Sequence, residues 1–259
     1  MILHAAELGG AGAGPPFVLL HGLFGSAPNF GAVGRRLAKG RRVIALDLRN
    51  HGASPHDPAM PYAAMAGDVR DTLAAIGVSR PDVLGHSMGG KVAMTLALHH
   101  LGTVRRLVVA DIAPVRYPPA FRAYADALLA IPVSPGLTRA AAHAALAPTV
   151  PDPAVRGFLL QNLRFGTDAG WRIGLTEIAA NLPAIEGWED QGPPFPGPAL
   201  FLRGERSGYV LPEHRPAIRA LFPAARFATL RGAGHWLHAD APDGFVAVVE
   251  GFLSQPEAV

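Results

Sequence analysis

No cysteine occurs in this 259-residue chain. That excludes a disulfide framework, thiolate metal sites and a cysteine nucleophile together; a reducing compartment fits but is not required. Charge is sparse as well, at 17% of residues, and Lys39 and Lys91 are the only lysines. The net charge is +3, and the arginine pairs Arg35-Arg36, Arg41-Arg42 and Arg105-Arg106 never grow into a basic block. They read as solvated arginines, and no nucleic-acid partner is expected. No apolar run reaches the roughly 18 residues of a membrane span, so none is expected. The opening residues, Met1 to Glu7, have neither the basic region nor the apolar stretch of a signal peptide, so the expected location is cytoplasmic.

What is present is apolar: 49% of the residues are hydrophobic, enough for a sizeable core in one large α/β domain. A candidate first strand, Leu3 to Leu8, leads into a glycine-rich bridge, Gly9 to Gly14. The bridge lacks G-x-G-x-x-G spacing and is followed by Pro15-Pro16 and a strand, so it reads as a turn, not a dinucleotide loop. Phe17 to Leu20, Val43 to Leu46, Pro81 to Leu84 and Leu107 to Ala110 are short continuous apolar runs, as strands buried on both faces should be. Helical stretches from about Pro28 to Ala38, Tyr62 to Ile76 and Met88 to Leu101 separate them, and the alternation predicts a mostly parallel sheet with crossover helices.

From Ile112 to Gly197 no convincing strand appears, only alanine-rich helical stretches broken by prolines. Alternation resumes with strand Ala199 to Leu202, a helix from about Glu213 to Leu221, strand Arg226 to Leu230 and a last helix from Pro242 to Leu253. An interruption of that length exceeds an ordinary loop. The expected organisation is therefore a core of residues 1–111 and 198–259 with a helical cap, 112–197, inserted between two late strands.

Gly85-His86-Ser87-Met88-Gly89 matches G-x-S-x-G between an apolar strand and an amphipathic helix, the context in which this motif forms a nucleophile elbow. The sharp strand-to-helix turn strains the serine backbone, and Gly85 and Gly89 remove side chains that would collide across it. Ser87 is the expected nucleophile. The oxyanion of an acyl-transfer intermediate needs two N–H donors: Met88, after the nucleophile, and Leu23, after the strand ending at His21-Gly22, with Phe24 as the neighbouring alternative. His21 lies on the wrong loop to be the base and reads as structural.

Triad order in a strand–elbow–helix protein of this kind is Ser, then acid, then His. Among eleven histidines, His235 follows a late strand in Gly232-Ala233-Gly234-His235-Trp236 and is the expected base, with His238 read as a surface or lid contact. The acid usually follows the strand Ala199 to Leu202, but Gly204-Glu205-Arg206-Ser207 offers a serine in that place, and a serine cannot hold an imidazolium electrostatically. Asp111, at the tip of the preceding strand, is the expected acid, ahead of Glu205. Ser207 is then either a plain loop serine or an auxiliary group bonded to Asp111 or His235. Phe24, Asn50, His51 and Trp236 are expected to contact substrate, although a loop-stabilising role suits Asn50 and His51 equally. Cap residues Phe121, Leu128, Leu129, Phe158, Leu159 and Leu163 read as packing before acyl-pocket lining.

Several segments together resemble the YbfF-type esterases of bacteria and the related mitochondrial α/β-hydrolase esterases. They are His21 to Ser26, Asp47 to Pro55, Gly85 to Lys91, Asp111 to Pro114, Ser207 to Val210 and Gly232 to Trp236. The resemblance implies an α/β-hydrolase fold, an acid on the earlier strand at Asp111, an auxiliary serine at Ser207, no cofactor or metal, and hydrolysis of carboxylic esters or acyl thioesters, acyl-CoA among them. The expected partner is a small acyl ester or thioester, and the expected assembly a monomer or small homo-oligomer. Rival readings are a C–C hydrolase or lyase of the same fold and, more remotely, a silent binding protein.

Overall fold

A computed structural model describes residues 1–12, 14–189 and 192–256. Ala13 of the glycine-rich bridge, residues 190 and 191 of the insertion and the terminal 257–259 lie outside the described residues. Seven strands form the main sheet: β1 (Ala5–Gly9), β2 (Gly14–Leu20), β3 (Arg41–Leu46), β4 (Asp82–His86), β5 (Arg106–Ala110), β8 (Ala199–Gly204) and β9 (Ala225–Leu230). Their spatial order is β1-β3-β2-β4-β5-β8-β9, parallel throughout except for β1 at the edge, which runs antiparallel to β3. The expected mostly parallel sheet is therefore observed.

The continuous apolar runs have the cause expected of them. Alternate residues of each strand enter separate cores: Val18, Leu20, Ile44, Val83 and Val109 on one face, Phe17, Leu19, Val43, Leu84 and Val108 on the other. Helices α2 (Tyr62–Ala75) and α3 (Met88–His99) cover the first face, and α1 (Gly31–Leu37) and α10 (Pro242–Leu253) the second. Each such aliphatic side chain, fully removed from water, stabilises the fold by about 1.5–3 kcal/mol. Helix α3 is buried from Met88 through Leu98, which is why its sequence carries so few charges.

Between β5 and β8 lies the insertion: α4 (Arg122–Leu129), α5 (Arg139–Leu146), α6 (Pro153–Leu160) and α7 (Leu175–Glu186), with a small hairpin of β6 (Leu163–Arg164) and β7 (Gly170–Trp171). That hairpin departs from the all-helical expectation; strands of two residues are too short to show a period. The helix expected from Pro28 begins instead as a 3₁₀ turn, Ala27–Phe30, because Pro28 sits in its first turn. A similar turn, Pro212–His214, precedes α8 (Arg215–Leu221), and a short α9 (Leu237–Asp240) precedes α10. Among the described residues no helix is long and apolar enough to cross a membrane.

Parallel strands bring their carboxyl ends to one edge of a sheet, where α/β proteins assemble sites. Here that edge carries Leu20 to Gly25, Asp47 to Ser54, Ser87, Asp111, Ser207 and His235.

Candidate active site

Ser87 follows β4 directly and opens α3 with φ 52° and ψ −122°. A side chain other than glycine held there costs about 1–3 kcal/mol, and two backbone bonds hold it: Ser87 N–H to Ala110 C=O at 3.0 Å and Gly90 N–H to Ser87 C=O at 2.8 Å. The glycines are required by contact. A Cβ on Gly85 would lie 2.1 Å from the Gly89 carbonyl oxygen, and one on Gly89 2.3 Å from that of Leu20. Among the described residues, five other than glycine have positive φ: Phe24, Asn50, Arg80, Ser87 and Asp111. All but Arg80 stand at this edge of the sheet, so strain is concentrated where the candidate residues meet.

Asp111 is fully buried, and its carboxylate is saturated with donors. His235 Nδ1 lies 2.8 Å from Oδ2, Gly204 N–H donates to Oδ1 at 3.0 Å, and the Ser207 hydroxyl donates to Oδ2. Ser207 Oγ in turn accepts the Tyr209 N–H at 3.2 Å. Of the two expectations for Ser207, the bond to Asp111 is the one observed. Glu205 is exposed and accepts the Gly232 N–H at 2.8 Å, away from His235. Tyr209 stacks flat on the imidazole of His235, centroids 4.1 Å apart and planes 25° apart. His86 Nε2 donates to the His235 carbonyl at 2.8 Å, and burial pushes the His86 pKa well below its ordinary value.

Across the cleft, the loop after β2 is a tight turn closed by Gly25 N–H to Gly22 C=O at 2.9 Å. Phe24 N–H is taken by His51 Nε2 at 3.1 Å, which removes Phe24 as the alternative oxyanion donor. The N–H groups of Leu23 and Met88 have no protein acceptor among the described residues. His51 and Asn50 are fully buried and line neither cavity beside Ser87, and the bonds they make are those of the loop-stabilising alternative. His51 Nδ1–H donates to the Arg49 carbonyl at 2.9 Å, and burial, with His21 adding to it, lowers its pKa to about 3. Asn50 braces its own loop through paired bonds of 2.8 Å to the backbone of Asp57. His21 is structural as expected: its Nε2 accepts the Leu48 N–H at 3.0 Å.

Ser87 and His235 line one cavity of about 240 Å³ with Phe24, Phe121, Phe158, Leu159, Trp236 and His238. No hydrogen bond joins the Ser87 hydroxyl to His235 among the described residues; such bonds often tighten only when substrate is in place. His238, expected on the surface or against a lid, packs instead against Phe30, His86 and Phe245, and burial lowers its pKa to about 4. Of the six cap residues considered, Phe121, Phe158 and Leu159 line this cavity. Leu128 and Leu163 are buried in the core, and Leu129 is exposed.

A second space of about 40 Å³ adjoins the first at Ser87, Leu23, Phe121 and Tyr209, and is closed by Met88, Lys91, Ile112 and Tyr117. Lys91, one turn beyond Ser87 on α3, is buried. Its Nζ donates to the Gly187 carbonyl at 2.5 Å and lies 4.9 Å from the Tyr117 ring centre. Burial, with Arg116 adding to it, lowers its pKa to about 7. Sequence reasoning missed Lys91 and Tyr209, whose partners lie far away along the chain. Only their places within the quoted motifs pointed to them. Among the described residues no cluster of His, Asp and Glu could hold a metal ion.

Comparison with known proteins places this geometry. The family model described as alpha/beta hydrolase fold matches residues 15–242. The chain is 41% identical to the sn-1-specific diacylglycerol lipase ABHD11 of Mus musculus, over 93% of this chain and 81% of that protein. It is 39% identical to Esterase YbfF of Escherichia coli K12, over 92% of this chain and 93% of that protein. Among solved structures, a marine microorganism esterase superposes with a TM-score of 0.93 at 34% identity, covering 97% of this chain and 99% of that one. The chain belongs to the α/β-hydrolase fold family.

Proposed function

We propose that this protein hydrolyses carboxylic esters through an acyl-enzyme on Ser87, with His235 as base and Asp111 as acid. One observation carries the reading: a strained serine and an imidazole bonded to a buried carboxylate open onto one apolar cavity. The names of the similar proteins, esterase and lipase, support it. His235 removes the Ser87 proton as the oxygen attacks the acyl carbon, the Leu23 and Met88 N–H groups receive the oxyanion, and His235 returns the proton to the departing oxygen or sulfur. Water then repeats the sequence and releases the acid. Ser207 keeps the carboxylate of Asp111 oriented.

We assign the halves of the substrate to the two spaces. The base that protonates the leaving group must stand on the leaving-group side, and His235 lines only the larger cavity, which is roofed by the cap helices. The acyl group therefore takes the small space over Met88 and Lys91, so short acyl chains are preferred and a bulky alcohol or thiol is accepted. The test is a series of p-nitrophenyl esters of graded acyl length beside acetyl-CoA. Acetate to butyrate should be turned over with the highest kcat/KM and decanoate at least about 10-fold more slowly, the range expected when a few methylenes are refused. A maximum at decanoate would reverse the assignment of the two spaces.

A further inference from the structure

Four residues, Gly22-Leu23-Phe24-Gly25, form the turn closed by Gly25 N–H to Gly22 C=O. Phe24, its third residue, has φ 60° while Leu23 keeps negative φ, the pattern of a type II turn. That third position favours glycine, and a phenylalanine there prefers the type I form, reached by flipping only the Leu23–Phe24 peptide. Something must hold the flip off, and the backbone on both sides of Phe24 is gripped. His51 Nε2 accepts the Phe24 N–H at 3.1 Å, and Asn162 Nδ2 donates to the Phe24 carbonyl at 2.7 Å. Both side chains are buried.

The tautomer of His51 makes its grip directional. Nδ1 carries the proton because it faces the Arg49 carbonyl at 2.9 Å, so Nε2 presents a lone pair. A flipped peptide would turn the Leu23 carbonyl toward that lone pair, acceptor against acceptor. Arg49 is fixed in turn by Asp68 at 2.6 Å and by the Ala59 carbonyl at 2.5 Å. The second grip comes from the insertion: Asn162 follows α6, and Asn29 Nδ2 donates to the adjacent Gln161 at 3.1 Å.

We infer that His51 from the core and Asn162 from the insertion are paired positioning residues: by gripping the Phe24 N–H and C=O they hold the Gly22–Gly25 turn, and with it the backbone that carries the Leu23 N–H, in the conformation used for catalysis. The inference rests on the proposed role of Leu23 as an oxyanion donor. It makes the cap part of transition-state stabilisation as well as a wall of the cavity.

The test uses the full chain with His51→Leu, His51→Gln, Asn162→Leu and the double variant His51→Leu/Asn162→Leu, assayed on p-nitrophenyl acetate. Affinity for a short alkylboronic acid, whose tetrahedral adduct places an oxygen in the oxyanion position, is measured alongside. His51→Leu and Asn162→Leu should each lower kcat about 10- to 100-fold, a partial loss of one donor's contribution, with KM within about 2-fold and boronic acid affinity falling in step with kcat. His51→Gln, which keeps an acceptor for the Phe24 N–H, should recover most of the loss, and the double variant should lose little more than the worse single. Should His51→Leu fail to fold, Asn162→Leu carries the same comparison. Losses confined to KM, unchanged kcat in folded variants, or additive losses with no rescue by glutamine would overturn the inference. A wild-type chain with neither turnover nor Ser87 labelling would remove the hydrolase reading and the inference with it.

Discussion

Asparagine at position 111 would keep the size and shape of the aspartate while changing what it presents to His235. The carboxylate accepts from Gly204 N–H through Oδ1, and from His235 and Ser207 through Oδ2. The Gly204 donor belongs to the backbone of β8 and cannot reverse, so the amide oxygen of asparagine must take the Oδ1 place. The amide NH₂ then faces His235 Nδ1, which has to become an acceptor. The imidazole proton moves to Nε2, and a protonated Nε2 cannot take the proton of Ser87. The Ser207 hydroxyl can rotate to accept instead, so the packing survives. The expected loss is that of a triad with the wrong tautomer, about 10⁴-fold in kcat, or roughly 5 kcal/mol of transition-state stabilisation. Steady-state hydrolysis of p-nitrophenyl acetate measures it, with circular dichroism to confirm the fold. Turnover within about 10-fold of wild type, or a larger loss in Glu205→Gln, would refute the reasoning and move the acid elsewhere.

Gly89→Ala would bring a Cβ within 2.3 Å of the Leu20 carbonyl oxygen and 2.5 Å of that of His21. Neither backbone atom can retreat, so thermal denaturation should show about 3 kcal/mol of lost stability; an unchanged Tm would contradict the close packing of the elbow. His51 is buried and His238 half-buried, and desolvation lowers their pKa values from 6.5 to about 3 and about 4. Unfolding below pH 6.5 therefore takes up protons, so stability is unaffected by these groups above pH 6.5 and falls progressively beneath it. At pH 5 each costs about 2 kcal/mol, 1.5 pH units below 6.5 at about 1.36 kcal/mol per unit. Urea titrations at pH 8 and pH 5 should differ accordingly, and His51→Gln should remove its share; equal stabilities would show that these rings are hydrated.

Local signals made much of this legible in the sequence. Strand runs with both faces buried, the glycines of the elbow and the serine standing where an acid was expected led to Ser87, His235 and Asp111, which the structure brings to one edge. Boundaries shifted: β2 starts at Gly14 and runs through Pro15-Pro16, and β1 begins at Ala5 instead of Leu3. The residues that stayed illegible act across long sequence distances. Nothing near His51 reveals that its ring meets the Phe24 N–H, nor does anything near Asn162 reveal that it meets the Phe24 carbonyl; the first depends on how two strand-tip loops pack, the second on how the insertion seats. For Asn50 and His51 the sequence leaves pocket-lining and loop-stabilising roles equal, since motif position fixes the loop and not the direction of the side chain; the bonds of Asn50 and of His51 Nδ1 lie within the loop.

The proposed covalent acyl-enzyme on Ser87 is tested most directly by intact-protein mass spectrometry after treatment with a fluorophosphonate. A single adduct is expected in the wild-type chain, mapping to the peptide that contains Ser87, and no adduct in Ser87→Ala. Labelling that persists in Ser87→Ala, or ester turnover that survives that substitution, would contradict it.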